Sequence, residues 1–500
     1  MYGHMNINYI FWEDIPTDEF IVQQLSDESS EAILTFSRDE NYRLLCDIKT
    51  LPGCRVSWDN NFGLDRKAGE LHSNIQGINA ATRQGHLTVR LEIFPTGWQS
   101  FSPKEVTYKP EAVKITLCPK VNSSNDTKTI VYFFLSNMGR GDIDFPNSMS
   151  FETSGKARIQ MADTIDDLIE MPMLSRHSHG CFKMQINGKK FILGKVDKES
   201  TKNLDGVFLR FEKDSLPSDD ELIAITNFLV YITGSEMIRI GHIKFGEHYS
   251  INEQVFLSTF RNDVKAVMCH SPMPVIPLGS KIVGSRYVSI TNEDELSDLL
   301  SKYVKSKDIF SLDYIGYYLK CFRRLSVDIQ MHPLSTALDL IQKEFFKSEK
   351  SPSKGKPSVD DALSKYLPLI ENVLGAYPKK ERIIGKIKNA NEFTLNERLN
   401  VFFDEIGLKV GEFEKEIIKQ RHKSIHGDLG GKDYQKLLFL VYGAYSLLNR
   451  IILKLIGHIG YYVDYSTYDF PCKSIDEPLS GLIVCKLGDV SGFYGASAEK

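Results

Sequence analysis

The sequence predicts an α+β multidomain protein, with a β-rich, sandwich-like N-terminal region followed by an all-α helical bundle. Through about residue 290, short apolar runs alternate with polar residues at a period of two, which is typical of strands. Beyond about residue 292, apolar residues recur at spacings of three and four, which is typical of helices. A chain of 500 residues also exceeds the size at which one core keeps growing. The predicted divisions are 1–290 (one or two β-rich subdomains), 291–330 (a helical connector), 331–460 (a helical domain) and 461–500 (an irregular tail).

The clearest local signal in the N-terminal region is a hairpin. Phe182, Met184 and Ile186 alternate with polar residues, and the pair Asn187-Gly188 supplies a type I′ turn before residues 189–196 return. One helix is predicted over Asp219–Tyr231, where acidic residues open an apolar run. Further strands are predicted over Leu87–Phe94, Ala112–Leu117, Thr129–Leu135, Gly206–Phe211 and Met237–Phe245.

The second half of the sequence predicts a helical bundle. Its periodic segments are Asp294–Val304, Asp308–Arg324, Pro333–Phe346, Val359–Leu374, Thr394–Ile406, Gly411–His426 and Asp433–Ile456. A lysine-rich, weakly apolar segment at 347–358 predicts a surface loop. The most apolar stretch, Leu437–Ile456, is interrupted by Asn449, Arg450 and Lys454, so it predicts a buried bundle helix, and no membrane partner is expected.

Composition and charge narrow the class of protein. With 42% hydrophobic and 25% charged residues, the chain is neither wholly disordered nor collagen-like. Its net charge of −4 argues against a global nucleic-acid coat, but residues 361–460 hold 16 Lys or Arg against 12 Asp or Glu, so the helical half suits a polyanion. The eight cysteines form no CxxC pair, which favours reduced thiols and a cytoplasmic protein.

The most informative string runs from Ile417 to Gly427, at the end of an amphipathic segment. Arg421, four intervening residues and His426 are followed by Gly427, which is placed to cap the helix. This pattern resembles the Rx4–6H motif of the HEPN superfamily, with His422 where that family usually carries a polar residue. Residues 396–407 and 413–420 look like the helix that precedes the motif in Apea-type HEPN domains. A β-rich region before a C-terminal HEPN domain also resembles the Apea-type antiphage proteins.

The resemblance implies a fold, an activity and partners. Residues 331–460 would be a HEPN nuclease domain, and the N-terminal region would sense a phage-derived trigger protein or ligand, or restrain the nuclease. The activity would be RNA cleavage without metal or cofactor in abortive infection, with tRNA among the candidate substrates. HEPN relatives also imply a homodimer.

The residues themselves suit that chemistry. An imidazole near neutral pKa can take the proton of a ribose 2′-OH or give one to the leaving 5′-oxygen, while a guanidinium holds the phosphate. We therefore predict Arg421 and His426 as catalytic, His422 as auxiliary, and Lys419 and Lys423 as RNA contacts. The products would be a 2′,3′-cyclic phosphate and a 5′-OH. Because one chain offers one such pair and in-line transfer uses both a base and an acid, two chains should build one composite cleft.

Other interpretations stay open. Residues five apart on a helix lie about 140° apart around the axis and residues four apart about 40°, so the helix must loosen for Arg421 and His426 to converge. The alternative is a solvated helix end whose cations favour the negative end of the helix dipole, in a non-catalytic RNA- or protein-binding module that uses the same basic cleft.

Two further groups of residues are weaker candidates. His177, His179 and Cys181 could bind zinc but lack an evident fourth ligand, so we predict no metal site. Cys269 and His270 are adjacent, and adjacent side chains on a strand point to opposite faces of the sheet. We therefore expect a buried cysteine there and not a thiol–imidazole pair. His458 is expected to be a core or helix-end residue. A phosphate-binding GxxxxGK[ST] loop is absent from the sequence, as is a Rossmann glycine motif in strand-helix context.

Overall fold

The computed structural model divides the chain into two compact units, residues 1–274 with 291–298, and residues 275–290 with 299–500. The β-rich N-terminal region and the helical C-terminal part follow the predicted order. The structure describes residues 18–22, 31–39, 43–50, 76–101, 106–119, 130–136, 147–151, 156–160, 165–170, 178–195, 206–235, 237–246, 251–258, 273–278, 281–283, 286–288, 293–347, 357–388, 395–425, 434–468 and 470–481.

The first unit is built on one large antiparallel sheet. Its strands are β1 (Phe20–Val22), β2 (Ala32–Arg38), β3 (Leu44–Thr50), β4 (Gln76–Thr82), β5 (Leu87–Phe101), β6 (Val106–Pro119), β7 (Ile130–Ser136), β8 (Asn147–Phe151), β9 (Lys156–Gln160), β10 (Ile165–Glu170), β11 (Ser178–Ile186), β12 (Lys189–Lys195), β13 (Gly206–Glu212), β14 (Ile238–Phe245) and β15 (Ile251–Leu257). The order across the sheet is β10-β9-β8-β11-β12-β13-β7-β14-β15-β6-β3-β2-β1-β4-β5, and β5 also pairs with β6.

That last pairing closes six strands into a barrel, so the sandwich-like layout predicted from sequence is replaced by a closed sheet. Strand β6 pairs with β5 along one edge, and with β3 and then β15 along the other. The β5–β6 ladder shifts register at Glu92/Ile93 and at Phe94/Trp98. Such irregularities bend a long strand and help it to curve around a barrel. Buried alternate residues such as Leu34, Ile48 and Leu91 fill the interior.

The predicted hairpin at 182–196 is confirmed as β11–β12, with Ile186 paired to Lys189. Asn187 and Gly188 both have positive φ, 50° and 79°, as a type I′ turn requires. The turn is tied to helix α1 (Asp219–Thr233), because Asn187 Nδ2 and Lys189 Nζ donate to the carboxylate of Glu221. Glu221 also completes a capping box with Ser218, which fixes the start of α1.

The other helices are α2 (Glu293–Ser306), α3 (Leu312–Arg323), α4 (Val327–Lys347), α5 (Pro357–Leu374), α6 (Lys380–Lys388), α7 (Leu395–Glu405), α8 (Glu412–Ile425) and α9 (Tyr434–Leu455). Within the second unit, α4 contacts α3, α7, α8 and α9, so it forms the centre of the helical packing. The helical segments predicted from periodicity are all present. The short α6 was not predicted.

Helix α9 lies in the interior of the second unit, as expected for a bundle helix. Among the helices of the described residues, it alone is long and apolar enough to cross a membrane, and most of its residues are buried. Its Arg450 is fully buried and forms an ion pair with the equally buried Glu414 of α8. Arg450 also donates to the carbonyl oxygen of Ile475, 2.9 Å away, and lies over the Tyr462 ring. The ion pair joins α9 to α8, and the other two contacts join α9 to the tail.

The tail predicted to be irregular contains a short hairpin, β18 (Tyr461–Val463) with β19 (Cys472–Ser474), while β16 (Lys281–Val283) and β17 (Arg286–Val288) form another. The backbone N–H of Val463 donates to the carbonyl oxygen of Val275 in the same unit. Buried Asp464 accepts from the backbone N–H of Ser466 and of Ser480. Hydrogen bonds that local sequence patterns do not reveal therefore hold the described parts of the tail, residues 461–468 and 470–481, in place.

Candidate active site at the end of helix α8

Helix α8 carries the predicted motif, and a glycine sets its distance from α9. A Cβ atom on Gly443 of α9 would lie 2.7 Å from Phe413 Cε1 and 2.8 Å from Ile417 Cδ1. Both distances are shorter than real carbon contacts, so a side chain at this position would force Phe413 and Ile417 of α8 to move. Ile417 is one helical turn before Arg421, and the close packing therefore fixes where the motif arginine enters the bundle.

Arg421 lies inside the bundle, not on its surface. The residue is 2% exposed, and Nη1 lies 3.0 Å from Oδ1 of Asp339 on α4. The Asp339 side chain remains 41% exposed. The charge pair thus has a buried cationic end and a carboxylate end that reaches solvent.

The surroundings of Arg421 are apolar. A small recess is lined by Arg421 together with Met331, Leu334, Ser335, Leu338, Ile417, Ala444, Leu447 and Leu448. Burial lowers the pKa of the Arg421 guanidinium, and the charge of Asp339 opposes that shift. A guanidinium stays protonated under such a shift because its ordinary pKa is above 12. The site therefore holds a permanent positive charge within a low-dielectric wall.

The other predicted site residues are only partly described. Lys419 is exposed, on the side of the helix opposite the buried Ile417. His422 and Lys423 lie in the last turn of α8, where the structure describes the backbone alone. His426 and its following Gly427 lie outside the described residues. The convergence of Arg421 with His426 therefore stays a prediction.

Asp339 is a residue that sequence reasoning missed. It follows Leu338 in α4, a helix whose apolar side packs inward. A carboxylate at the edge of that apolar side indicates a buried cationic partner, and this much could have been predicted from the sequence. The partner itself was not readable, because Asp339 and Arg421 belong to different helices. Only the packing of α4 against α8 brings them together.

The described residues offer no metal centre, since none of their His, Cys, Asp and Glu side chains form a group of three or more placed to hold an ion. Of the predicted weak zinc set, His177 lies outside the described residues, and His179 is described only as backbone in β11. Burial raises the pKa of the Cys181 thiol to about 11, with the Glu293 charge adding to the shift. A thiol so far from ionisation is a poor metal ligand. Cys269-His270 also lies outside the described residues.

Two other histidines have structural partners. His458, as predicted, is a buried helix-end residue, with Nε2 3.1 Å from the carbonyl oxygen of Tyr461. His242 on β14 lies 3.2 Å from Glu253 on β15, and Lys244 contacts the same carboxylate oxygen at 2.6 Å. The hydrogen bond with His242, joined by Lys244, lowers the pKa of Glu253 to about 2, and burial lowers that of His242. This cluster is a cross-strand ion network.

Comparison with known proteins adds no relative, because no protein-family model, no curated protein and no solved structure matches the chain.

Proposed function

We propose that the chain is a metal-independent RNA endonuclease of the HEPN type, which acts in the cytoplasm in antiphage defence by abortive infection. In this proposal the β-rich unit senses a phage-derived trigger or restrains the nuclease. Arg421 and His426 are the catalytic residues, His422 assists them, and Lys419 and Lys423 contact the RNA. Two chains form the working enzyme.

The observation that supports the proposal best is the state of Arg421. Its guanidinium lies in a mainly apolar recess, and Nη1 is 3.0 Å from Oδ1 of Asp339. A phosphate oxygen is chemically similar to that carboxylate oxygen, and guanidinium binds both through N–H donors. Negative charge concentrates on the phosphate oxygens in the transition state of cleavage. A fixed cation in a low-dielectric site stabilises that charge far more than the same cation would in water. The nearby histidines of the motif supply the acid and base.

The reaction follows from these groups. One imidazole removes the 2′-OH proton, the 2′-oxygen attacks the adjacent phosphorus, and the bond to the 5′-oxygen breaks as a second imidazole protonates it. The guanidinium balances the charge on the phosphate oxygens throughout. The products are a 2′,3′-cyclic phosphate and a 5′-OH end. Because the acid and the base are two groups, each chain contributes one His426, and His422 orients the phosphate.

A second function has its own observation. The 2% exposure of Arg421 and its contact with Asp339 also suit a purely structural ion pair that joins α4 to α8. In that case the basic helical half would be a non-catalytic RNA- or protein-binding module. The two functions differ in what a histidine substitution does, because a binding module does not require a titrating group.

The deciding experiment is to incubate purified full-length protein with total RNA, with and without phage lysate as trigger, and to map the new ends. The endonuclease should leave discrete 5′-OH ends, and His426→Ala should remove them by roughly 10² to 10⁴-fold. His458→Ala is the matched control, because that histidine is held by the Tyr461 carbonyl oxygen in the hairpin region. His422→Ala should have a smaller effect than His426→Ala. RNA binding without cleavage in the wild type would favour the binding module.

The two-chain site has a separate test. Co-expressing wild-type chains with an excess of His426→Ala chains should reduce activity more than dilution does, since most wild-type chains would then have an inactive partner. Activity that falls only in proportion to the wild-type fraction would assign both proton transfers to one chain, with His422 as the second group.

A further inference from the structure

Helix α5 leaves an apolar face uncovered. None of its described side chains, from Asp361 to Leu374, is buried. Leu369 is 60% exposed and Val373 is 86% exposed, and Tyr366 before them and Tyr377 just after the helix are each about half exposed. In the described part of its own unit, α5 packs mainly against the short α6. An apolar stripe so open to water is unusual on a folded surface and is a candidate contact surface for another molecule.

The stripe has the spacing of a helix-pairing seam. Ala362, Tyr366, Leu369 and Val373 follow one another at intervals of four, three and four, which places them on one side of the helix. Pro368 and Ser364 lie on the opposite side by the same spacing. Neither of them would interfere with a helix that lies along the seam.

We propose that a second copy of this chain covers the stripe, with the two α5 helices antiparallel across a two-fold axis. In this register Tyr366 packs on the partner's Leu369 and Val373 packs on the partner's Ala362. Both pairs have the same midpoint in the sequence, so one two-fold axis satisfies all four contacts. A large residue faces a smaller one in each case, as close packing requires.

Charge favours this antiparallel copy over other occupants. Between Pro357 and Leu374 the sequence has three acidic residues and one lysine, a net charge of −2, which RNA and anionic lipid would repel. In a parallel pair Asp361 would face its own copy. The antiparallel pair instead lays Asp361 beside the far end of the partner helix, which is followed by Lys379 and Lys380. Opposed helix dipoles also attract.

The flank of the seam is compatible with the same register. Exposed Lys365 comes opposite the partner's Asn372, so no like charges meet there. Only the need for two copies rests on the proposed function. The apolar helix α9 does not offer such a face, because most of its residues are buried in its own unit. Helix α5 provides the face that α9 does not.

The first test is the mass of the full-length protein in solution, measured by light scattering without RNA. The wild type should have twice the 56.8 kDa chain mass, and Leu369→Glu/Val373→Glu should have the mass of one chain. The matched control is Ser364→Glu, which adds a charge to the exposed opposite side of α5 and should leave the dimer intact. Circular dichroism reports whether each variant keeps its helix content.

The second test needs no destabilising substitution. Chains with Ala362→Cys are co-expressed with chains that carry Val373→Cys, and each variant is also expressed alone. All three samples are then oxidised. A disulfide-linked dimer should form in the mixture and not in either variant alone, because only the antiparallel register brings position 362 close to the partner's position 373. Cross-linking of each variant to itself would indicate a parallel pair and overturn the register.

Two results would overturn the proposal. One is a single-chain mass for the wild type, and the other is a two-chain mass that Leu369→Glu/Val373→Glu does not change. If a monomeric wild type also sediments with phosphatidylglycerol vesicles and the same variant does not, the stripe binds lipid instead. A dimer without RNA cleavage would contradict the proposed nuclease activity and leave this interface intact. An active monomer would contradict this interface together with the two-chain site, and would leave RNA cleavage by the chain intact.

Discussion

Arg421 and Asp339 form a charge pair whose two ends differ in their access to water. The Arg421 side chain is 3% exposed and that of Asp339 is 41% exposed, with 3.0 Å between Nη1 and Oδ1. An anion that approaches from solvent therefore meets the carboxylate before it can reach the guanidinium. If Arg421 binds RNA phosphate, the phosphate must take the place of the Asp339 oxygen.

Asp339→Asn tests this competition through two effects of opposite sign. Loss of the carboxylate leaves a buried cation without its counter-charge, so the free energy of unfolding should fall by about 1–3 kcal/mol, between the values for exposed and buried pairs. Affinity for RNA should rise severalfold, because the competing anion is gone. Denaturant titration and RNA binding at fixed salt measure the two effects.

The control for Asp339→Asn is Asp328→Asn, which removes an exposed carboxylate from the first turn of the same helix. It corrects for the general gain in positive charge and should change neither quantity much. If stability and RNA affinity both fall in Asp339→Asn, the pair is structural and Arg421 has no contact with phosphate.

Arg421→Lys should reduce RNA cleavage by roughly 10²-fold, since an ammonium lacks the planar fork that holds two phosphate oxygens. The product ends of a single-turnover reaction give the rate. The same variant should bind RNA with nearly wild-type affinity, because its charge is kept. Cleavage at the wild-type rate would mean that positive charge alone is enough.

Chelation separates the proposed chemistry from metal catalysis. Attack by the 2′-oxygen, driven by imidazole and guanidinium, needs no Lewis acid, so EDTA should leave the cleavage rate unchanged. An RNA with one 2′-deoxy sugar at the cut position should resist cleavage there and remain cleavable elsewhere. A strict magnesium requirement, or cutting at the deoxy position, would reopen the cluster at 177–181 as a metal site.

The packing of α8 on α9 can be tested with two glycines of the second unit. Gly443→Ala places a methyl group against Phe413 and Ile417, and should lower the free energy of unfolding. In Gly316→Ala of α3, the new methyl group meets nothing within 4 Å, so this variant should gain up to about 1 kcal/mol from helix propensity. Chemical denaturation of the full chain compares them. Equal changes in the two variants would show that the α8–α9 contact is not tight.

Much of the fold was predictable from sequence because its signals are local. The hairpin at 182–196 needed only an alternating pattern and Asn187-Gly188, and α8 was predicted to within a residue of its observed ends. Helix α4 was predicted to begin at Pro333 but begins at Val327, since a proline near a helix start is compatible with either boundary. Helix α6 has nine residues, too few for a clear period.

The missed features depend on distant parts of the chain. Barrel closure requires β1 to pair with β4, across more than fifty residues, and no local pattern specifies that pairing. Arg421 was identified from its motif, but its burial and its contact with Asp339 depend on how α4 and α8 pack. The same limit applies to the buried Arg450, which was predicted as an interruption of an apolar helix without its partner Glu414.

The junction between the β11–β12 turn and α1 predicts how acid affects the first unit. Burial acts to raise the pKa of Glu221, but hydrogen bonds from Lys189, Asn187 and the backbone of Ser218 outweigh it and lower the pKa to about 2. A carboxylate whose pKa is depressed by folding stabilises the fold above its unfolded pKa, near 4.3, and this stabilisation is lost as the pH falls toward 2. Glu221→Gln should therefore lower the unfolding temperature at pH 7 and reduce its decline between about pH 5 and pH 2.

Asp220→Asn, which removes an exposed charge from the same first turn, is the control for the helix dipole. Scanning calorimetry of the full chain across that range gives both curves. If the two variants lose the same amount at every pH, the Glu221 contacts contribute nothing beyond the charge itself.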